Sequence, residues 1–316
     1  MANAITTTTV DLPESLSAHV EAARRYFDAS KAPETQRSYS AGWRSFTRFC
    51  EAHGLTALPA DPQTVSLFAT ETAQGRAVAT VRAYMAAVSA AHREAGYDDP
   101  TKHEAVRRIV SGIRREHGTR SRQAKGLTEN DVAAIRATLG GSVRDLRDWA
   151  MVLVARDLLA RRSELAALDV ADLDLGAEDG TALIRSSKTD QDGEGHTAYV
   201  GPEATAALRR YMGVAGVTEG AVFRAVTKGG NVRDRITPKS VGRAFKRLAE
   251  GAGLDADRVS GHSARVGMAQ DLAAFGASTT ELQTAGRWQS PTMPAHYSAR
   301  QRARRSAVAR FHDAKS

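Results

Sequence analysis

The chain has 316 residues, enough for about two domains at roughly 150 residues each, both able to bury a core. Forty-four Lys and Arg against 36 Asp and Glu leave a formal charge of +8, which favours a polyanionic partner over a neutral one. Cys50 is the lone cysteine, which excludes a disulfide framework and a Cys-rich zinc site, and the longest apolar run, Trp149 to Ala155, falls far short of a membrane span. The start, MANAITTTTVDLPESL, lacks the basic and apolar regions of a signal peptide, so a cytoplasmic protein without membrane attachment is expected.

Residues 1–15 are Thr-rich with little apolar content and read as a disordered tail. Five helical segments follow, over 14–29, 33–53, 62–74, 77–95 and 101–117, separated by Gly, Pro or Asp signals. In the second, Tyr39, Trp43, Phe46 and Cys50 recur at helical spacing while Arg37, Arg44 and Arg48 occupy another sector, giving one packing face and one cationic face. The fourth is rich in alanine, with Val81, Met85 and Val88 on its stripe and Arg82, His92 and Arg93 away from it, and can lie close against a neighbour or a groove.

Between Lys102 and Lys125 stand eight Lys or Arg against two Glu, and apolar periodicity ends at Gly118. The spacing places a basic linker over 118–126, between a helical domain over 16–117 and a second domain over 127–316. From Leu127 the pattern turns mixed: helices near 128–138 and 143–160, two strand-like runs, TALIRSS and HTAYVG, joined by a polar turn, then helices near 202–213, 238–250, 262–275, 279–285 and 292–298, and a last amphipathic one near 301–312. The segment PKSVGRAFKRLAEGAG sets Lys239, Arg243, Lys246 and Arg247 opposite Val241, Phe245 and Leu248. Such a cationic helix fits a major groove, and a plain solvated face fits the same pattern.

The chemistry-bearing stretches are LLARRSELAALDVADL, the hairpin IRSSKTDQDGEGHTAYVG, and GHSARVGMAQDLAAFGASTTELQTAGRWQSPTMPAHYSAR. Taken together, in this order and spacing, they resemble the tyrosine recombinase (phage integrase) family, and most closely its Cre-like members. The resemblance runs over nearly the whole chain from about residue 16. It places the family's first arginine on Arg161, with Glu164 at the acidic position, the hairpin lysine on Lys188, the His-x-x-Arg pair on His262 and Arg265, the His-or-Trp position on Trp288 and the nucleophile on Tyr297. Arg162 stands where the family has an apolar residue, so Arg161 and Arg162 compete for the inward position, and the distance to Glu164 selects Arg161.

These residue types suit phosphoryl transfer. Two guanidiniums offer planar, permanently charged donors to the non-bridging oxygens. A phenol of pKa about 10 is a poor nucleophile until nearby cations or a base help it shed its proton. The resemblance implies attack by Tyr297 to give a 3′-phosphotyrosyl DNA and a free 5′-hydroxyl protonated by Lys188, with His262 and Trp288 donating to the phosphate and Glu164 orienting the cations. It implies no ATP, metal or other cofactor. The nine histidines show no ligand spacing of their own.

The implied fold is mainly α: a two-domain DNA clamp of a helical core-binding (SAM-like) domain and an α+β catalytic domain with a small antiparallel sheet and a tail helix. The implied function is site-specific recombination through a Holliday junction. The implied partners are double-stranded DNA with inverted-repeat half-sites and a homotetramer on two sites, joined by exchange of the C-terminal helix. The start of the chain leaves no room for a further arm-binding domain, so a simple recombinase of a bacterium, phage or plasmid, associated with the nucleoid, is expected. Lys239, Arg243, Lys246, Arg247, Arg37, Arg44, Arg48 and Arg82 are the candidate DNA contacts. A relaxing enzyme like the type IB topoisomerases, and a DNA-binding regulator with a degenerate site, are the competing readings.

Overall fold

A computed structural model describes residues 14–30, 33–118, 124–185, 195–304 and 306–315. The Thr-rich start, most of the basic linker and Lys188 lie outside the described residues. The chain divides into two compact units, Met1–Arg122 and Gln123–Ser316.

The first unit is helical throughout its described residues: α1 (Ser17–Ala29), α2 (Pro33–His53), α3 (Pro62–Gly75), α4 (Val78–Glu94) and α5 (Glu104–His117). Asp61 starts α3 by accepting a hydrogen bond from the Gln63 N–H at 2.7 Å, with Pro62 at the first helical position, where its missing N–H costs nothing. The core is built on Phe46, Val65, Phe68, Val81 and Val88, and the Phe46 and Phe49 rings pack 5.1 and 5.4 Å from Phe68. Alanine on α4 and a glycine on α2 let these two helices meet closely: a Cβ on Gly42 would stand 2.8 Å from that of Ala87. His92 departs from the sequence reading, which set it on the polar side of α4. It is fully buried, donating from Nδ1 to the Val88 carbonyl at 2.8 Å and accepting at Nε2 from the Ala60 N–H at 2.9 Å. Two buried backbone groups recruit it, and apolar periodicity does not report such partners.

The second unit opens with α6 (Glu129–Ala137), α7 (Val143–Asp157) and α8 (Arg162–Ala167), followed by strands β1 (Leu173–Leu175), β2 (Gly180–Ile184) and β3 (His196–Val200) in one antiparallel sheet of order β1-β2-β3. Then come α9 (Pro202–Ala215), the antiparallel pair β4 (Arg224–Val226) and β5 (Val232–Arg235), α10 (Pro238–Gly251), α11 (Ser263–Phe275), α12 (Thr279–Gly286), α13 (Thr292–Tyr297), α14 (Ala299–Arg304) and α15 (Ala307–Asp313). The fold is therefore mainly α with small antiparallel sheets, as the sequence implies. Met151, Val154, Leu165, Leu208, Tyr211, Phe223 and Phe245 form its main core. Where one tail helix was expected there are two, because Ser306 begins a new one by accepting from the Ala309 N–H at 3.3 Å.

A buried ionic hub ties the elements of this unit. Asp148 on α7 is fully buried, accepts two hydrogen bonds from Arg147, at 2.9 and 2.7 Å, and pairs with Arg247 of α10. Arg147 also donates to the Arg224 carbonyl on β4 at 2.8 Å. Such a hub is orienting more than stabilising, because the desolvation of its charges offsets most of their attraction.

Candidate active site

Two helix ends build the site. α7 closes with Leu159 in the left-handed region (φ 42°), Ala160 N–H bonding back to the Ala155 carbonyl at 3.0 Å. α12 closes the same way on Arg287 (φ 52°), with Trp288 N–H on the Gln283 carbonyl at 3.0 Å. This position of a helix stop ordinarily takes glycine, and a side chain there costs about 1–2 kcal/mol. Leu159 and Arg287 are the only non-glycine residues with positive φ among those described, and they come together: an Arg287 Nη2 donor lies 3.5 Å from the Leu159 carbonyl oxygen. Strain gathered in one place marks a candidate site.

Arg161 follows at the start of α8. The Glu164 carboxylate reaches back to the Arg161 backbone N–H at 2.9 Å, as the third residue of a capped helix does, and its other oxygen accepts from Arg161 Nη1 at 2.6 Å. Arg162 is exposed, so Arg161 is the inward arginine. The oxygen that takes the Arg161 N–H also accepts from Arg287 Nη2 at 2.8 Å. Burial works against the Glu164 charge, but Arg287 and the hydrogen bonds and charge of Arg161 outweigh it and hold the carboxyl below the usual range.

Arg265 lies on α11, one turn beyond His262, and is 2% exposed. Its two terminal nitrogens donate to the carbonyls of Leu159 and Gly286, and its guanidinium carbon sits 4.5 Å above the Trp288 ring. Trp288 is 7% exposed, and its ring centre lies 5.6 Å from that of Tyr297 at the end of α13. Leu159, Ala269, Ala273 and Leu282 complete this apolar floor, with the half-buried Tyr297 against it. The close approach is why residue 286 is glycine: a Cβ there would stand 2.1–2.5 Å from three carbons of the indole's six-membered ring.

The electrostatics are those of an anion site. Burial first, then the neighbouring Arg161 charge, push the Arg265 guanidinium down. Partial desolvation, then Arg265, Arg162 and Arg161, push His262 down and favour its neutral ring, although its surface is open to solvent. Burial raises the Tyr297 phenol while the Arg265 and Arg161 charges pull it the other way. Three guanidiniums, of Arg161, Arg265 and Arg287, face one carboxylate, and a phosphate diester would relieve the excess. His196, at the head of β3 opposite Ile184 of β2, feels the charges of both Arg287 and Glu164. The base of the β2–β3 pair therefore borders the site, and Lys188, which lies between these strands in the sequence, is outside the described residues.

The other nominated cations fall apart in role. On α10, Lys239 and Arg243 are exposed, Lys246 is half-buried and Arg247 is engaged with the buried Asp148. In the first unit Arg37, Arg44 and Arg48 of α2 and Arg82 of α4 are exposed, Arg37 pairing with Glu34 at 3.0 Å. Arg287 was not singled out in the sequence. Its only local signal is a charge between a glycine and a tryptophan in GRW.

Comparison with known proteins gives this geometry a lineage. Residues 125–304 match the family model described as phage integrase. The chain is 29% identical over 286 residues to an integrase/recombinase XerD homolog of Selenomonas ruminantium, covering 87% of this chain and 84% of that protein. It is 29% identical over 276 residues to recombinase Cre of Escherichia phage P1, covering 80% of each. Among solved structures, the XerH site-specific recombinase bound to a palindromic difH substrate superposes with a TM-score of 0.61 at 15% identity, over 80% of this chain and 72% of that one. A lambda integrase dimer bound to a COC′ core site gives 0.59 at 17% identity, over 91% and 81%. The family match spans more than half of the chain and every described element that carries Arg161, Arg265, Trp288 and Tyr297, and so the chain belongs to the phage integrase family, the tyrosine recombinases.

Proposed function

We infer that the protein is a site-specific DNA recombinase that cuts and rejoins strands through a covalent bond between Tyr297 and DNA. The observation that carries this reading is the buried Arg265 guanidinium over Trp288, whose ring packs on Tyr297, with the half-buried Arg161 near enough for its charge to bear on both Arg265 and Tyr297. Arg161 and Arg265 bind the two non-bridging oxygens of the exchanged phosphate and stabilise the charge that develops there. The Tyr297 oxygen forms a bond to phosphorus, the bond to the 5′-oxygen breaks, and Lys188 gives that oxygen a proton. His262 donates a hydrogen bond to the phosphate, and the charges of Arg265 and Arg161 favour release of the phenolic proton to water. The phosphodiester energy is kept in the 3′-phosphotyrosyl link, so a 5′-hydroxyl of another strand can reverse the step without ATP. Trp288 fixes Arg265 from below, and Glu164 fixes Arg161 from the side.

The helical residues 16–117 act as the core-binding domain, 118–126 as its linker and 127–316 as the catalytic domain, with both domains on double-stranded DNA. Lys239, Arg243 and Lys246 on α10, and Arg37, Arg44, Arg48 and Arg82 in the first unit, contact it. The related proteins are from a bacterium and a phage, and no described helix is long and apolar enough to cross a membrane. Four protomers on two inverted-repeat sites exchange strands through a Holliday junction. The exposure of Val308 (67%) and Phe311 (56%) on α15 supports docking of that helix into a neighbouring protomer.

The test uses duplexes that the full chain enriches from a random pool, nicked so that the cut product diffuses away. The parent protein should become covalently joined to the labelled strand, and Tyr297→Phe should bind with unchanged affinity and form no adduct. An adduct that survives Tyr297→Phe moves the nucleophile elsewhere, and a parent that binds without ever forming one reduces the protein to a DNA-binding regulator.

A further inference from the structure

We propose that Arg287 is a positioning residue of strand transfer, one residue that orients both phosphate-binding arginines. The inference rests on the reading that Arg161 and Arg265 grip the exchanged phosphate. Two branches leave this residue. Its side chain, 8% exposed, donates to the Leu158 carbonyl at 2.8 Å and to Glu164 at 2.8 Å, and Glu164 in turn holds Arg161 at 2.6 Å. Its main chain, in the left-handed conformation, turns the chain between Gly286, whose carbonyl takes one Arg265 nitrogen, and Trp288, whose ring lies beneath the same guanidinium.

The first branch is the one a substitution isolates. Glu164 has two oxygens and, among the described residues, three donors: the Arg161 N–H, the Arg161 guanidinium and Arg287. Without Arg287 the oxygen away from Arg161 Nη1 keeps only the Arg161 N–H, and the carboxylate is held less firmly about its terminal bond. The Arg161 fork then loses its angle toward the phosphate. Arginine suits the task where lysine does not, since a guanidinium reaches a carbonyl and a carboxylate at once in a fixed plane and an ammonium is a single point of charge. Misplacing a catalytic donor by about 1 Å costs roughly a hundredfold, and removing a residue that orients one costs about 10- to 100-fold.

The experiment measures single-turnover adduct formation by the full chain on the nicked, selected duplex. Arg287→Met should slow it about 10- to 100-fold while duplex affinity stays within about twofold. Arg287→Lys should lose less. In an Arg161→Lys background, Arg287→Met should add less than about threefold, because its effect passes through Arg161. A purely structural role predicts the same loss in both backgrounds, and that result, or a rate for Arg287→Met within about twofold of the parent, overturns the proposal. Should Arg287→Met fail to fold, Arg287→Lys decides: a parental rate overturns the proposal, and a loss that vanishes in the Arg161→Lys background supports it. The two readings separate cleanly, since no adduct from the parent overturns the catalytic assignment, whereas parental adduct that Arg287→Met leaves undiminished overturns the positioning role alone.

Discussion

Replacing Gly286 with alanine tests whether the Trp288 ring must lie where it does. The added Cβ would fall 2.1, 2.2 and 2.5 Å from Cζ3, Cε3 and Cη2 of the indole, while ordinary contact begins at 3.4 Å, so the ring must retreat by about 1.3 Å or the end of α12 must open. Neither is free. The ring is packed between the Arg265 guanidinium and Tyr297, and overpacking a filled site costs about 1–3 kcal/mol. For a domain of this size that lowers Tm by roughly 3–10 °C. A shift of this size beneath the nucleophile and Arg265 should slow adduct formation about a hundredfold. The three clashing atoms all belong to the six-membered ring of the indole, so Gly286→Ala with Trp288→His should recover most of the lost Tm. Thermal unfolding and single-turnover cleavage read both effects. A Gly286→Ala protein with parental Tm and rate, or a double variant no more stable than the single one, refutes the packing argument.

Asp148→Ala leaves the buried Arg147 and its partner Arg247 without their carboxylate, and should destabilise the second unit by about 3–5 kcal/mol in urea unfolding; a loss below about 1 kcal/mol would mean that water replaces the carboxylate at little cost. Lys239→Ala should weaken DNA binding and relax preference at one base pair, read by competition among selected duplexes, whereas an even loss across sequences would make Lys239 a phosphate contact. Acid should weaken the fold in two stages. His262 and His196 are both held below their ordinary pKa, so the unfolded chain takes up their protons first and stability falls as pH drops below about 6.5. Glu164 and Asp131 are likewise depressed, and stability falls again as pH passes below about 4. Urea midpoints from about pH 7.5 downward should decline, with His262→Gln flattening the first stage; a midpoint that rises between about pH 7.5 and 5.5 contradicts the assigned shifts.

Much of this protein is legible in its sequence wherever an element is long enough to repeat its period. α2 spans 21 residues and α10 spans 14, so each shows a packing face and a cationic face, and the expected ends of the long helices lie within a few residues of those observed. The catalytic set came instead from the resemblance to the tyrosine recombinases that three stretches carry by their order and spacing. By contrast α8, with six residues, and β1, β4 and β5, with three or four, are too short to express a period, and β5, VRDR, carries no apolar alternation at all.

What the sequence determined by itself is the set of local signals: helices, their caps, the basic balance, and the residue types fit for phosphoryl transfer. Only the tertiary structure decided that Arg247 is tied to Asp148, that His92 is buried, and that Arg287 braces Glu164. Each of these depends on a partner brought near by folding rather than by position along the chain. Local periodicity records which side of an element faces inward, and it carries no information about the charge or carbonyl waiting there.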